Sequence, residues 1–161
     1  NRVDELRAEL MVQLEETQQR DLRYVKMLKD ITPPEEWPEL RERLLWMKTL
    51  SWVRGEMLEM DGLYERLLRY ATQGKSMAFM DKFAKTLGEK YPNETREFYV
   101  NCLREDMKQA TQKNYHELVK HLKWLRRLPG GAEAAASIAQ EWRVTYPRRR
   151  SLLQELKNQG F

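Results

Sequence analysis

Leu6, Leu10, Leu14, Thr17, Asp21, Tyr24 and Leu28 follow one another at steps of three and four, the spacing that lines one face of an α-helix. The spacing predicts one long helix over residues 2–29, with a stripe that turns polar near its centre. Pro33-Pro34 then breaks the chain, with Thr32 or a neighbour as the cap of a second helix that runs to about residue 50 and carries Leu40, Leu44 and Met47 on one face. A shorter helix from Ser51 carries Trp52, Met57 and Leu58. Asp61-Gly62 reads as a turn, and Leu63, Leu67, Leu68 and Ala71 resume the period.

The same rhythm continues to the C-terminus. Ser76 caps a helix with Met77, Met80, Phe83, Ala84 and Leu87, which stops at Tyr91-Pro92; the next carries Phe98, Tyr99, Cys102, Leu103 and Met107. A bend near 111–113 leads into Tyr115, Leu118, Val119, Leu122 and Leu125. Pro129-Gly130-Gly131 ends that helix, another holds Ala135, Ile138, Ala139 and Trp142 up to Tyr146-Pro147, and the last holds Leu152, Leu153 and Leu156. No segment alternates with period two for more than a few residues, so no strand is expected. Trp52, Leu67, Phe83, Leu87, Tyr99, Leu103, Leu118, Leu122, Ile138 and Trp142 lie on inward stripes and are expected to be buried.

Lys90-Tyr91-Pro92 and Thr145-Tyr146-Pro147 both end one helix and open another, 55 residues apart in the chain. Each helical hairpin leaves one apolar face that a neighbour must cover. The expected fold is therefore all-α: seven to nine helices in antiparallel hairpins, stacked as a short, tetratricopeptide-like right-handed solenoid. The 161 residues read as a single helical-repeat domain, with the long helix over 1–30 and hairpins over 34–161. Asn1 in place of an initiator Met suggests a segment of a longer protein.

Several phrases are more specific than periodicity. Pro34-Glu35-Glu36-Trp37-Pro38-Glu39-Leu40-Arg41, Gly62-Leu63-Tyr64-Glu65-Arg66-Leu67-Leu68, Leu87-Gly88-Glu89-Lys90-Tyr91-Pro92 with Phe98-Tyr99, Tyr115-His116-Glu117-Leu118-Val119 with Leu122-Lys123, and Tyr146-Pro147 through Leu156 occur in that order. Together they resemble the helical region that follows the SWIM zinc finger in bacterial proteins. That family's finger is a Cys-x-Cys pair followed by Cys-x-His. Cys102 is the one cysteine here, so the resemblance implies a metal module outside this segment and carries no catalytic residue onto it.

Composition narrows the function classes. With 34% charged residues and a mean hydropathy of -0.82, no window approaches the roughly 20 uncharged apolar residues that a bilayer requires. A lone cysteine cannot make an internal disulfide and fits a cytoplasmic setting. His116 and His121 are five apart, which sets the imidazoles about 140° apart around a helix and prevents both from holding one ion; two surface histidines is the plainer reading. Cys102 reads as a small hydrophobe of the core. Gly130-Gly131 lacks the Lys-Ser/Thr of a phosphate loop and reads as a helix stop. No cofactor, metal or catalytic group is expected.

Charge is unevenly spread. From Lys113 onward there are ten Lys and Arg against four Glu, a net +6, whereas the first 112 residues hold nineteen against twenty-one, a net −2. Arg126, Arg127, Arg148, Arg149 and Arg150 are the candidate nucleic-acid contacts, on the expectation that a hairpin brings them together near Trp124 or Trp142. The competing expectation pairs some of these arginines bidentately with acidic side chains, leaving too little free charge for nucleic acid. The second is favoured, and with it a non-catalytic scaffold that holds a protein partner on the concave face of the stack; an accessory nucleic-acid segment is the alternative.

Overall fold

A computed structural model of the chain describes residues 1–16, 21–48, 53–74 and 76–161. Among them every regular element is a helix, and there is no strand. The helices are α1 (Arg2–Glu16), α2 (Leu22–Asp30), α3 (Trp37–Leu45), α4 (Val53–Met60), α5 (Tyr64–Thr72), α6 (Met77–Lys90), α7 (Pro92–Gln109), α8 (Tyr115–Arg127), α9 (Gly131–Thr145) and α10 (Arg150–Asn158). A 3-10 turn over Gln112–Asn114 precedes α8. None of the described helices is long and apolar enough to cross a membrane.

Ten described helices exceed the expected seven to nine because the predicted long helix over 2–29 is two. Asp21 lies on the inward stripe by spacing, yet its backbone is extended (φ −117°, ψ 122°) and its carboxylate accepts the Arg23 N–H at 2.8 Å. An aspartate that binds the backbone two residues on competes with the helix and favours a cap. Thr32 also departs from its expected role. Its hydroxyl donates back to the Leu28 carbonyl at 2.5 Å, closing α2 rather than opening α3. Helix α3 instead starts at Trp37, with a proline in its first turn, and stops at Leu45 rather than near residue 50.

The helices gather into two compact units, Asn1–Leu67 and Leu68–Phe161, with α5 running across the boundary. In the first, Leu10, Leu14, Val25, Leu28, Leu44, Val53 and Met57 form the core. The turn between α4 and α5 carries Asp61, whose side chain is 4% exposed. Lys29 Nζ donates to it at 2.8 Å, Trp37 Nε1 at 2.6 Å and Arg41 Nη1 at 3.1 Å. One carboxylate thus ties α2, α3 and the α4–α5 turn together. Gly62 beside it has φ +69°, the left-handed conformation that glycine adopts at least cost.

In the second unit, substantial helix contacts run only between neighbours and next-but-one neighbours: α6 with α7 and α8, α7 with α8 and α9, α8 with α9 and α10. Next-but-one helices are parallel. Along α7 and α9, Arg96 reaches Pro129 O at 2.6 Å near their starts, and Arg104 reaches Glu141 at 3.1 Å further along. Along α8 and α10, His116 meets Glu155, Lys123 meets Gln159 and Arg126 meets Gly160 in rising order. The result is two rows, α6-α8-α10 and α7-α9.

The punctuation at Tyr91 and Tyr146 repeats in the backbone, with φ/ψ of −133°/64° and −123°/52°. Each tyrosine N–H closes its helix on the carbonyl four residues back. The copies diverge afterwards, since α7 begins at Pro92 itself while Pro147-Arg148 makes a turn before α10. Of the expected core, Leu67, Phe83, Leu87, Tyr99, Leu103, Leu118, Leu122, Ile138 and Trp142 are buried, and Trp52 lies outside the described residues.

Candidate functional site

Two places carry more chemistry than a helical core requires. One is the set of arginines in the basic C-terminal third. The other is a polar node inside the second unit that opens onto a cleft.

The arginines do not pair with acidic side chains as expected. None of Arg126, Arg127, Arg148, Arg149 and Arg150 has a carboxylate partner among the described residues. Aromatic rings take that role for three of them. The Arg149 guanidinium lies 4.0 Å from the Tyr146 ring centroid and 5.9 Å from that of Tyr115; Arg126 lies 4.3 Å from Phe161 and Arg127 5.5 Å from Trp124. Cation–π contacts are less demanding of desolvation than a bidentate ion pair, and they leave the charge intact.

Nor do the five arginines converge. Helices α8 and α10 are two elements apart and parallel, so Arg126, which with Arg127 ends α8, meets the residues that follow α10, while Arg148, Arg149 and Arg150 stand at its start. A 13-residue helix separates the two groups by about 20 Å. Trp142, expected beside them, is buried in the core.

The polar node draws one side chain from each of three successive helices. Asp81 of α6 accepts the Tyr99 hydroxyl of α7 at 2.6 Å, and its other oxygen stands 2.8 Å from His121 Nδ1 of α8. Tyr99 is wholly buried and His121 is 8% exposed. Burial first, and the Asp81 carboxylate second, push the Tyr99 phenol well above its ordinary value, so it serves as a fixed donor. The His121 approach is close but is not a well-directed hydrogen bond. Replacing Tyr99 with Phe removes one bond to a charged acceptor and is expected to cost about 2 kcal/mol in a urea melt; an unchanged midpoint would show that the hydroxyl contributes nothing.

His121 is therefore not the surface residue its spacing from His116 suggested. His116 is exposed and stands 3.3 Å from Glu155, whereas His121 falls three after Leu118 and four before Leu125, on the inward stripe. That register was the available signal. Nothing in the sequence ties Asp81 and Tyr99 to it, because they meet only when three helices stack.

No family model, curated protein or solved structure matches this chain. Its chemistry is accordingly read from the geometry of the node and its surroundings.

His121 forms part of the wall of a cleft of about 450 Å³, where α6 and α8 begin and α7 ends. Met77, Ala78, Ala110 and Leu118 supply apolar wall, and Glu105, Asp106 and Glu117 supply carboxylates. Among the described residues, no lysine or arginine lines it. Cys102, expected in the core, is half-buried one turn from Asp106. Burial and then the Asp106 carboxylate push its thiol up, the direction opposite to that of a reactive thiolate.

Proposed function

We propose that this chain is a non-catalytic helical-repeat module that holds a protein partner at the end of its stack where α6 and α8 begin and α7 ends. The observation that supports the reading is the contact order in the second unit. Helices whose substantial contacts run to first and second neighbours build a quasi-one-dimensional stack, whose use is to present a shaped surface. A right-handed solenoid with a concave binding face belongs to this reading, as does a cytoplasmic setting. The likeness to helical regions beside SWIM fingers agrees with a role as an accessory part of a larger bacterial protein.

The nucleic-acid reading retains one supporting observation, the unpaired charge of the five arginines. Against it stands their division between two ends of α8 and α10, so that no single strand path meets all five at close spacing. Phosphate contacts act through the number of charges engaged together. A titration with short duplex DNA and with RNA at about 50 and 200 mM salt tests the choice. The expected result is no saturable binding at the higher salt. Tight, salt-sensitive binding that disappears when Arg148, Arg149 and Arg150 become Ala in a folded protein would replace the module reading with the nucleic-acid one.

A further inference from the structure

The end of the stack where α8 begins and α7 ends also carries a run of free positive charge. Pro147 and Arg148 turn the chain from α9 into α10, with the Arg149 N–H bonded to the Tyr146 carbonyl at 3.1 Å. Arg148, Arg149 and Arg150 therefore follow one another within about 7 Å of backbone. Arg149 is half-buried, its guanidinium faces the rings of Tyr146 and of Tyr115 at the start of α8, and its Nη1 stands 3.8 Å from Met107 Sδ near the end of α7. These contacts hold the side chain in place without neutralising it.

Arg148 and Arg150, on either side, are exposed, and their side chains make no hydrogen bond, ion pair or ring contact among the described residues. Exposed Lys113, two residues before Tyr115, likewise has no carboxylate partner among them. Folding gains nothing from the charge of this run. Arginines at the start of a helix oppose its dipole, and α10 has no acidic residue in its first turn to offset them.

We propose that Arg148, Arg149 and Arg150 form an interaction surface for a short acidic segment of a protein partner. Clustered carboxylates or a phosphate monoester on that segment take bidentate hydrogen bonds from guanidinium groups, one of which is already held in place in the free protein. The proposal rests on the module reading above and deepens it by giving the partner's charge. A nucleic acid fits this surface less well. A strand continues beyond the run, at an end of the stack where Glu105, Asp106 and Glu117 of the cleft repel phosphates, and its bases find no free ring, since Tyr115 is buried and Tyr146 faces Arg149.

The test titrates the full chain, at about 150 mM salt, with the capped peptide Gly-Ser-Gly-Asp-Glu-Asp-Gly-Ser-Gly, the same peptide with a single phosphoserine in place of Asp-Glu-Asp, the same with Asn-Gln-Asn, and a short oligothymidylate. Amide resonances from Tyr146 to Leu153, and that of Tyr115, are expected to shift saturably with an anionic peptide and not with the Asn-Gln-Asn one. Arg148→Gln together with Arg150→Gln, both exposed, should weaken that binding about tenfold. Arg127→Gln together with Lys157→Gln removes the same charge near the other ends of α8 and α10 and should leave it unchanged. Binding of the carboxylate peptide identifies an acidic segment as the occupant, and binding of the phosphoserine peptide alone identifies a phosphorylated one. Binding of neither, or equal weakening in the two double variants, would overturn the proposed surface and leave the module reading, with a partner held by other residues. Oligothymidylate bound more tightly than either anionic peptide would overturn both.

Discussion

Asp61→Asn is expected to destabilise residues 1–67 by about 3 kcal/mol, because it removes the charge that holds Lys29, Trp37 and Arg41 together. An asparagine amide keeps the shape but offers one acceptor where two served three donors. Arg41, 17% exposed, then carries a charge without its closest partner. Amide hydrogen exchange in α2 and α3 reads the loss, with Glu65→Gln, on the exposed face, as the unaffected control. Protection equal to the control would show that the network merely decorates the turn.

The same carboxylate makes the first unit sensitive to acid. Burial pushes the Asp61 carboxyl up, but the hydrogen bonds from Lys29, Trp37 and Arg41 together outweigh it and hold the group below its ordinary value. Glu42 is lowered as well, mainly by the Arg66 guanidinium that bonds it through two nitrogens at 2.6 and 3.0 Å. For a lowered carboxyl, the unfolded chain takes up the proton first as pH falls. The contribution is therefore complete above the ordinary carboxylate value, about 4, and lost as pH drops through the folded value. Thermal melts should show a stability plateau above that pH and a decline below it, and Asp61→Asn should flatten the decline.

Gly131→Ala is expected to cost about 3 kcal/mol or prevent folding of the second unit, since its Cβ would lie 1.8 Å from the Leu125 carbonyl oxygen and 3.2 Å from Leu128. The oxygen belongs to the end of α8 and cannot rotate away as a side chain can. Gly130 beside it has φ +68° and turns the chain from α8 into α9. Gly74→Ala is the comparison: it also has positive φ but nothing within 4 Å, so backbone strain alone should cost it about 1 kcal/mol. Equal losses in the two variants would mean that the α8–α9 corner relaxes freely around the added methyl.

Helix order was legible because apolar residues such as Phe83, Leu87, Leu103 and Ile138 recur at helical spacing and the breakers fall between runs. Asp21 shows the limit of that reading. A carboxylate at a stripe position fits the period, yet its own backbone interaction makes it the cap of a new helix, α2. His121 shows the converse, a polar residue on a buried stripe whose partner, Asp81, sits 40 positions earlier on another helix. The arginines were visible as charge but not as geometry. Their separation follows from α8 and α10 running parallel; Trp124 was expected nearby, whereas Tyr146 was read as a helix stop and Phe161 carried no expected contact.

The central claim is that a protein partner is held at the cleft end of the stack. Its most direct measurement is site-specific photo-crosslinking in cells, with a photoreactive phenylalanine at Gln109 on the cleft wall and, separately, at exposed Gln140 on α9. The account predicts a discrete protein adduct from position 109 and none from position 140. Adducts of equal yield from both positions, adducts to nucleic acid alone, or none from position 109 would contradict it.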